Sequence, residues 1–121
     1  MQNSFEISLR MHLYINLNCE IQDTDDLGYT VCDFLSELNP ELNKITYSLH
    51  ESQMNEDVPN ELKILVTFYI PADKNHNYKE LSRITGEFLD LLPNDISFID
   101  ERISPIDNLN FQFHEESIYK I

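Results

Sequence analysis

Residues 5–18, FEISLRMHLYINLN, alternate apolar and polar side chains without a break. Phe5, Ile7, Leu9, Met11, Leu13, Ile15 and Leu17 fall on one side. Glu6, Ser8, Arg10, His12, Tyr14, Asn16 and Asn18 fall on the other. A period of two predicts a long strand with one buried face. The spacing then changes to that of a helix, through Leu27, Val31, Phe34, Leu35 and Leu38. Asp23 or Thr24 caps its start, and Asp25 and Asp26 suit the positive end of its dipole. Asn39-Pro40 is expected to stop it, because a residue before proline avoids helical backbone angles.

Alternation returns in KITYSLH (44–50), through Ile45, Tyr47 and Leu49, and in ELKILVTFYI (61–70), through Leu62, Ile64, Val66, Phe68 and Ile70. The second run is apolar on part of its other face too, which predicts a central strand. Pro71 is expected to end it, and the polar MNEDVPN (54–60) connects the two. A second helix starts at a variant capping box, Asn77 with Glu80, and buries Leu81, Ile84, Phe88, Leu91 and Leu92. Pro93-Asn94-Asp95 stops it. ISFID (96–100) predicts a short strand, and NLNFQFH (108–114) predicts a last one through Leu109, Phe111 and Phe113.

The predicted order is β-α-β-β-α-β with an extra C-terminal strand. It belongs to the α+β class: an antiparallel sheet with two helices on one face, the ferredoxin-like split βαβ. The first strand is about twice the usual length, so the extra strand is expected to pair with its far half. A length of 121 residues fits one globular domain spanning 1–121.

Charge narrows the function classes. The chain carries 22 acids against 8 bases, a formal net charge of −14. Nucleic acid and anionic membranes carry the same sign, so neither is an expected partner, and a basic protein is. No apolar run is long enough to span a membrane, and Glu6 and Arg10 interrupt any signal-peptide stretch, so the expected location is cytoplasmic. Cys19 and Cys32 do not make a CxxC pair and are expected to stay unbonded to each other.

Catalytic motifs are missing. Two glycines, Gly28 and Gly86, cannot build a phosphate loop. DTDDLG starts like a calcium loop but has Leu27 and Phe34 where ligands belong. His50-Glu51 and His114-Glu115 lack the second histidine of HExxH. The expectation is no enzyme, no cofactor and no metal site. His12 and His50 lie on strands and can approach each other, though exposed side chains are the plainer expectation. Arg10, His12, Tyr14, Thr67 and Tyr69 are expected as neighbours on the open sheet face, either solvated or serving a small ligand or self-association.

The segment DTDDLGYTVCDFLSELNPE (23–41) holds six acids and no base. At 100° per residue, Asp25, Tyr29 and Ser36 lie opposite the apolar stripe, flanked by Asp26, Asp33 and Glu37. Four carboxylates then surround one tyrosine with no cation to pair them. On the second helix the outer face holds Lys79, Arg83, Glu87 and Asp90, and Arg83 pairs with Glu87 four residues on. Unpaired acids on a helix repel, and a tyrosine among them has the form of an interface anchor. Asp25, Asp26, Tyr29, Asp33 and Glu37 are therefore the expected partner-binding residues. A plain solvated face is the alternative.

The small size, the acidity, and the Asn- and Ile-rich stretches LYINLN and NLNFQF resemble the small acidic immunity proteins of bacterial contact-dependent growth inhibition and related polymorphic toxin systems. The resemblance carries no motif, so no functional residue follows from it. It implies a monomer or weak homodimer that neutralises a basic toxin domain, an RNase or DNase. A ligand-sensing or self-associating regulatory module, and a nucleic-acid mimic, are the competing classes.

Overall fold

The computed structural model describes residues 4–38, 45–73, 78–106 and 108–120. The chain runs through β1 (Ser4–Asn16), α1 (Thr24–Ser36), β2 (Thr46–Met54), β3 (Glu61–Asp73), α2 (Tyr78–Asp90) and β4 (Leu109–Lys120). The strand order is β2-β3-β1-β4, and every pairing is antiparallel. That is the split βαβ order, in the α+β class.

The alternation in β1 works as its period requires. Ile7, Leu9, Met11, Leu13 and Ile15 are fully buried. Opposite them on β3 lie Ile70, Phe68, Val66, Ile64 and Leu62, also fully buried. Both helices press on this one face. Leu27, Val31, Cys32 and Leu35 of α1 and Leu81, Ile84 and Phe88 of α2 complete the core. Phe88 packs tilted against Phe68, with ring centroids 5.4 Å apart.

Gly28 lets α1 come close to β2. A Cβ there would lie 2.9 Å from Ser52 Oγ and 3.2 Å from Leu49 Cδ2. The same approach lets the hydroxyls of Thr24 and Ser52 donate to each other's carbonyl oxygens, both at 2.7 Å. The β2–β3 hairpin closes at Asn60, whose φ of 57° is a left-handed angle that asparagine tolerates.

Several expectations need correcting. The sheet has four strands among the described residues, not five. Residues 97–99 of the expected strand 96–100 form a 3₁₀ turn instead. Local side-chain bonds override its apolar pattern. Asp95 Oδ1 accepts from the Ser97 amide at 2.9 Å, the Ser97 hydroxyl at 2.6 Å and Asn108 Nδ2 at 2.8 Å. The Ile96 amide donates to Asn108 Oδ1 at 2.8 Å. The long β1 needs no extra strand, because β3 and β4 flank it along nearly its whole length. β4 continues to Lys120.

Pro71 does not end β3, which runs to Asp73 and pairs Pro71 with Glu6. Among the described residues the pairing with β2 stops at Tyr69 and Pro71 pairs with β1 alone, and a missing N–H is tolerated where a strand lies on one side only. Leu91 is exposed rather than buried, because α2 ends at Asp90 and the helical spacing lapses there. β2 begins later and ends later than expected, with a bulge at His50. α1 ends at Ser36. The expected stop at Asn39-Pro40 and the Asn77 cap lie outside the described residues.

Candidate functional site

The outer face of α1 is built by its capping and its stripe. Asp23 Oδ1 accepts from the Asp26 amide at 3.1 Å and fixes the first turn. With Leu27, Val31 and Leu35 pinned in the core, Asp25, Asp26, Tyr29, Asp33 and Glu37 are all exposed. The sequence-predicted residues therefore share one surface. Tyr29 leaves 51% of its area open.

The expectation of a face with no cation is corrected. Arg102, far away in sequence, reaches Asp26 Oδ2 at 3.0 Å and Asp100 Oδ2 at 2.8 Å. It binds the segment after α2 to the first turn of α1. The same segment sets Phe98 edge-on to Phe34, with ring centroids 5.1 Å apart. Asp100 is held below the usual carboxylate range, mainly by the hydrogen bonds from Arg102, and the arginine is raised in turn.

Asp33 is also engaged. The Tyr47 hydroxyl on edge strand β2 donates to Asp33 Oδ1 at 2.6 Å. Its ring lies 6.4 Å from that of Tyr29. Burial first, and the Asp33 bond second, push the Tyr47 hydroxyl above the ordinary tyrosine range. Of the four carboxylates, Asp25 and Glu37 remain without a side-chain partner among the described residues. Tyr47 and Arg102 were illegible as members of this surface. They come from 18 and 76 residues away from their partners Tyr29 and Asp26, and no local pattern marks them.

The open face of the sheet is a second concentration of chemistry. Register places Arg10 opposite Thr67, Ser8 opposite Tyr69, and Tyr14 opposite Lys63. Arg10, His12, Tyr14, Thr67 and Tyr69 are thus neighbours, as the alternation predicted. His50 is exposed, in line with the plainer expectation, and the alternative approach of His12 to His50 is not made. His12 Nδ1 meets His114 Nε2 rather than His50. His50 Nε2 bonds Thr67 Oγ1 at 2.7 Å. Each edge strand carries one bulge, between Leu49 and Glu51 in β2 and opposite the Arg10/Met11 step in β4. The extra residue is a histidine in both cases. Such a bulge re-aims its side chain, and a strict alternation count cannot foresee it.

Among the described residues no group of three or more His, Cys, Asp or Glu side chains is placed to hold a metal. No helix among them is long and apolar enough to cross a membrane. Cys19 is exposed and Cys32 buried, both as free thiols. No family model, curated protein or solved structure gives a significant match to this chain.

Proposed function

We propose that this chain is a cytoplasmic immunity protein that neutralises a basic toxin nuclease domain on the outer face of α1. The observation that carries the reading is Tyr29. A half-exposed aromatic ring sits between Asp25, Asp33 and Glu37, and Tyr47 supports it from β2. Tyrosine supplies contact area with little rotamer loss, and clustered acids steer a cationic partner at up to ~10⁸–10⁹ M⁻¹s⁻¹. Nuclease clefts are cationic because they bind phosphates, so an acidic surface with an aromatic anchor is complementary to them.

The internal partners sharpen the residue set. Asp26 is neutralised by Arg102, and Asp33 also positions Tyr47. Asp25, Tyr29 and Glu37 are left as the residues with most to offer a partner. The test uses the reading frame immediately upstream of this chain's gene. Its C-terminal domain should arrest growth when expressed alone, and coexpression of this chain should restore growth. A harmless upstream product, or one that does not bind the chain, would overturn the reading.

A further inference from the structure

We infer that the open sheet face binds a small oxyanion, a phosphate or carboxylate group carried on an apolar body, between Arg10, His12 and His114. This site lies on the opposite face of the sheet from α1 and does not depend on the immunity reading. Arg10, His12, Leu65 and His114 line a shallow concavity of about 300 Å³. Leu65 pairs with His12 across β1 and β3 and gives the concavity its apolar floor. Arg10 is exposed and makes no ion pair among the described residues, although 22 acids are present in the chain. An unpaired guanidinium is a planar fork of donors suited to a bidentate oxyanion.

The two histidines add donors in a defined way. Their facing nitrogens, His12 Nδ1 and His114 Nε2, hold one proton between them. The ring that accepts carries its own proton on its outer nitrogen, and that N–H is free to donate. A further proton goes to the other outer nitrogen, so the contact survives while the pair becomes cationic. Around His12 stand Arg10 on β1, Lys63 on β3, Glu51 on β2, and His114 with the adjacent Glu115 on β4. Burial and the cationic neighbours hold His12 below the ordinary histidine range, and a bound anion reverses part of that effect. Affinity therefore rises as pH falls through and below the ordinary histidine range. Glu115, the cross-strand partner of Arg10, is the built-in competitor.

The test follows the imidazole C–H NMR signals during titration with phenyl phosphate and, separately, benzoate, at constant pH and ionic strength. Saturable shifts of His12 and His114 are expected, larger than with matched sodium chloride, and the tighter of the two anions names the source. Losing a charge-assisted bond predicts at least about tenfold weaker binding in Arg10→Ala. Glu115→Gln should strengthen binding. An amide spectrum that keeps its dispersion shows that each variant still folds. Shifts no larger than those with chloride, equal binding by Arg10→Ala, or weaker binding by Glu115→Gln would each overturn the proposal.

Discussion

The Tyr47 hydroxyl donates to Asp33 Oδ1 at 2.6 Å and so ties edge strand β2 to the acidic helix. The contact joins a residue read from sequence as an exposed acid to one read as a strand's inward face. It predicts a high-pH signature. The folded-state pKa of Tyr47 is raised, so its stabilising effect is complete below the unfolded value of about 10 and is lost as pH rises through the folded value. Absorbance titration of phenolate should show a late step in the wild type that is absent from Tyr47→Phe. The same variant should lose about 0.5–1 kcal/mol of stability at pH 7, the net worth of one hydrogen bond.

Arg102 provides a stability prediction at the opposite end of α1. Arg102→Gln leaves the largely buried Asp100 carboxylate without its cation and frees the post-α2 segment. A loss of about 1–2 kcal/mol is expected in urea unfolding at pH 7. Asp26→Asn should cost much less, because Asp26 is 61% exposed and its pair is screened. Asp100 has a depressed folded-state pKa, so its contribution is present above the unfolded value near 4 and disappears as pH falls through the folded one. The gap between wild type and Arg102→Gln should therefore close in acid.

The two glycines should respond to alanine with opposite signs. Both lie inside helices, where alanine is favoured by up to ~1 kcal/mol. At Gly86 a Cβ meets nothing within 4 Å, so Gly86→Ala should raise the melting temperature. At Gly28 the new methyl collides with Ser52 Oγ, which is held by the Thr24 carbonyl and cannot simply swing away. Gly28→Ala should lower stability by about 1 kcal/mol or more despite its better helix propensity.

Binding kinetics separate the roles on α1. Asp25→Asn with Glu37→Gln should slow association with the basic partner and flatten its salt dependence while the fold stays intact, because both side chains are exposed. Tyr29→Ala should act on dissociation and cost on the order of 2 kcal/mol. Asp33→Asn is expected to do two things at once, because it also weakens the bond from Tyr47. Lys79→Ala and Arg83→Ala, on the α2 surface where Arg83 already pairs with Glu87 at 2.6 Å, should leave binding unchanged. Kinetics at low and high salt read all of these variants, and wild-type behaviour from the α1 variants would show a solvated face.

The two thiols should react unequally. Cys19 is exposed, whereas burial, aided by Asp33, pushes the Cys32 thiol up to about 12. Titration with a thiol reagent at pH 8 should find one fast group in the folded protein and two after denaturation.

The residue pattern alone located β1, β2, β3, β4 and both helices and the faces that β1, β3 and α1 bury, whereas it put a strand at 96–100 where a turn forms, and Leu91, Phe111 and Phe113, expected on apolar faces, stay exposed. Alternation and helical spacing arise from backbone geometry, so Ile7 to Ile15 and Leu62 to Ile70 could be assigned to the core before any contact was known. The exposure of Asp25, Tyr29 and Glu37 followed in the same way, as the complement of a buried stripe. Only the tertiary structure decided what those exposed residues touch. Arg102 meets Asp26 and Tyr47 meets Asp33 because crossover connections bring distant segments beside α1, and no local period encodes such a meeting. The turn at 97–99 likewise depended on Asn108, and the histidine pair on a bulge that shifts β4 by one residue against β1. Periodicity reports which side of an element faces the core. Partners across elements depend on register and loop path, and those are settled only when the whole chain packs.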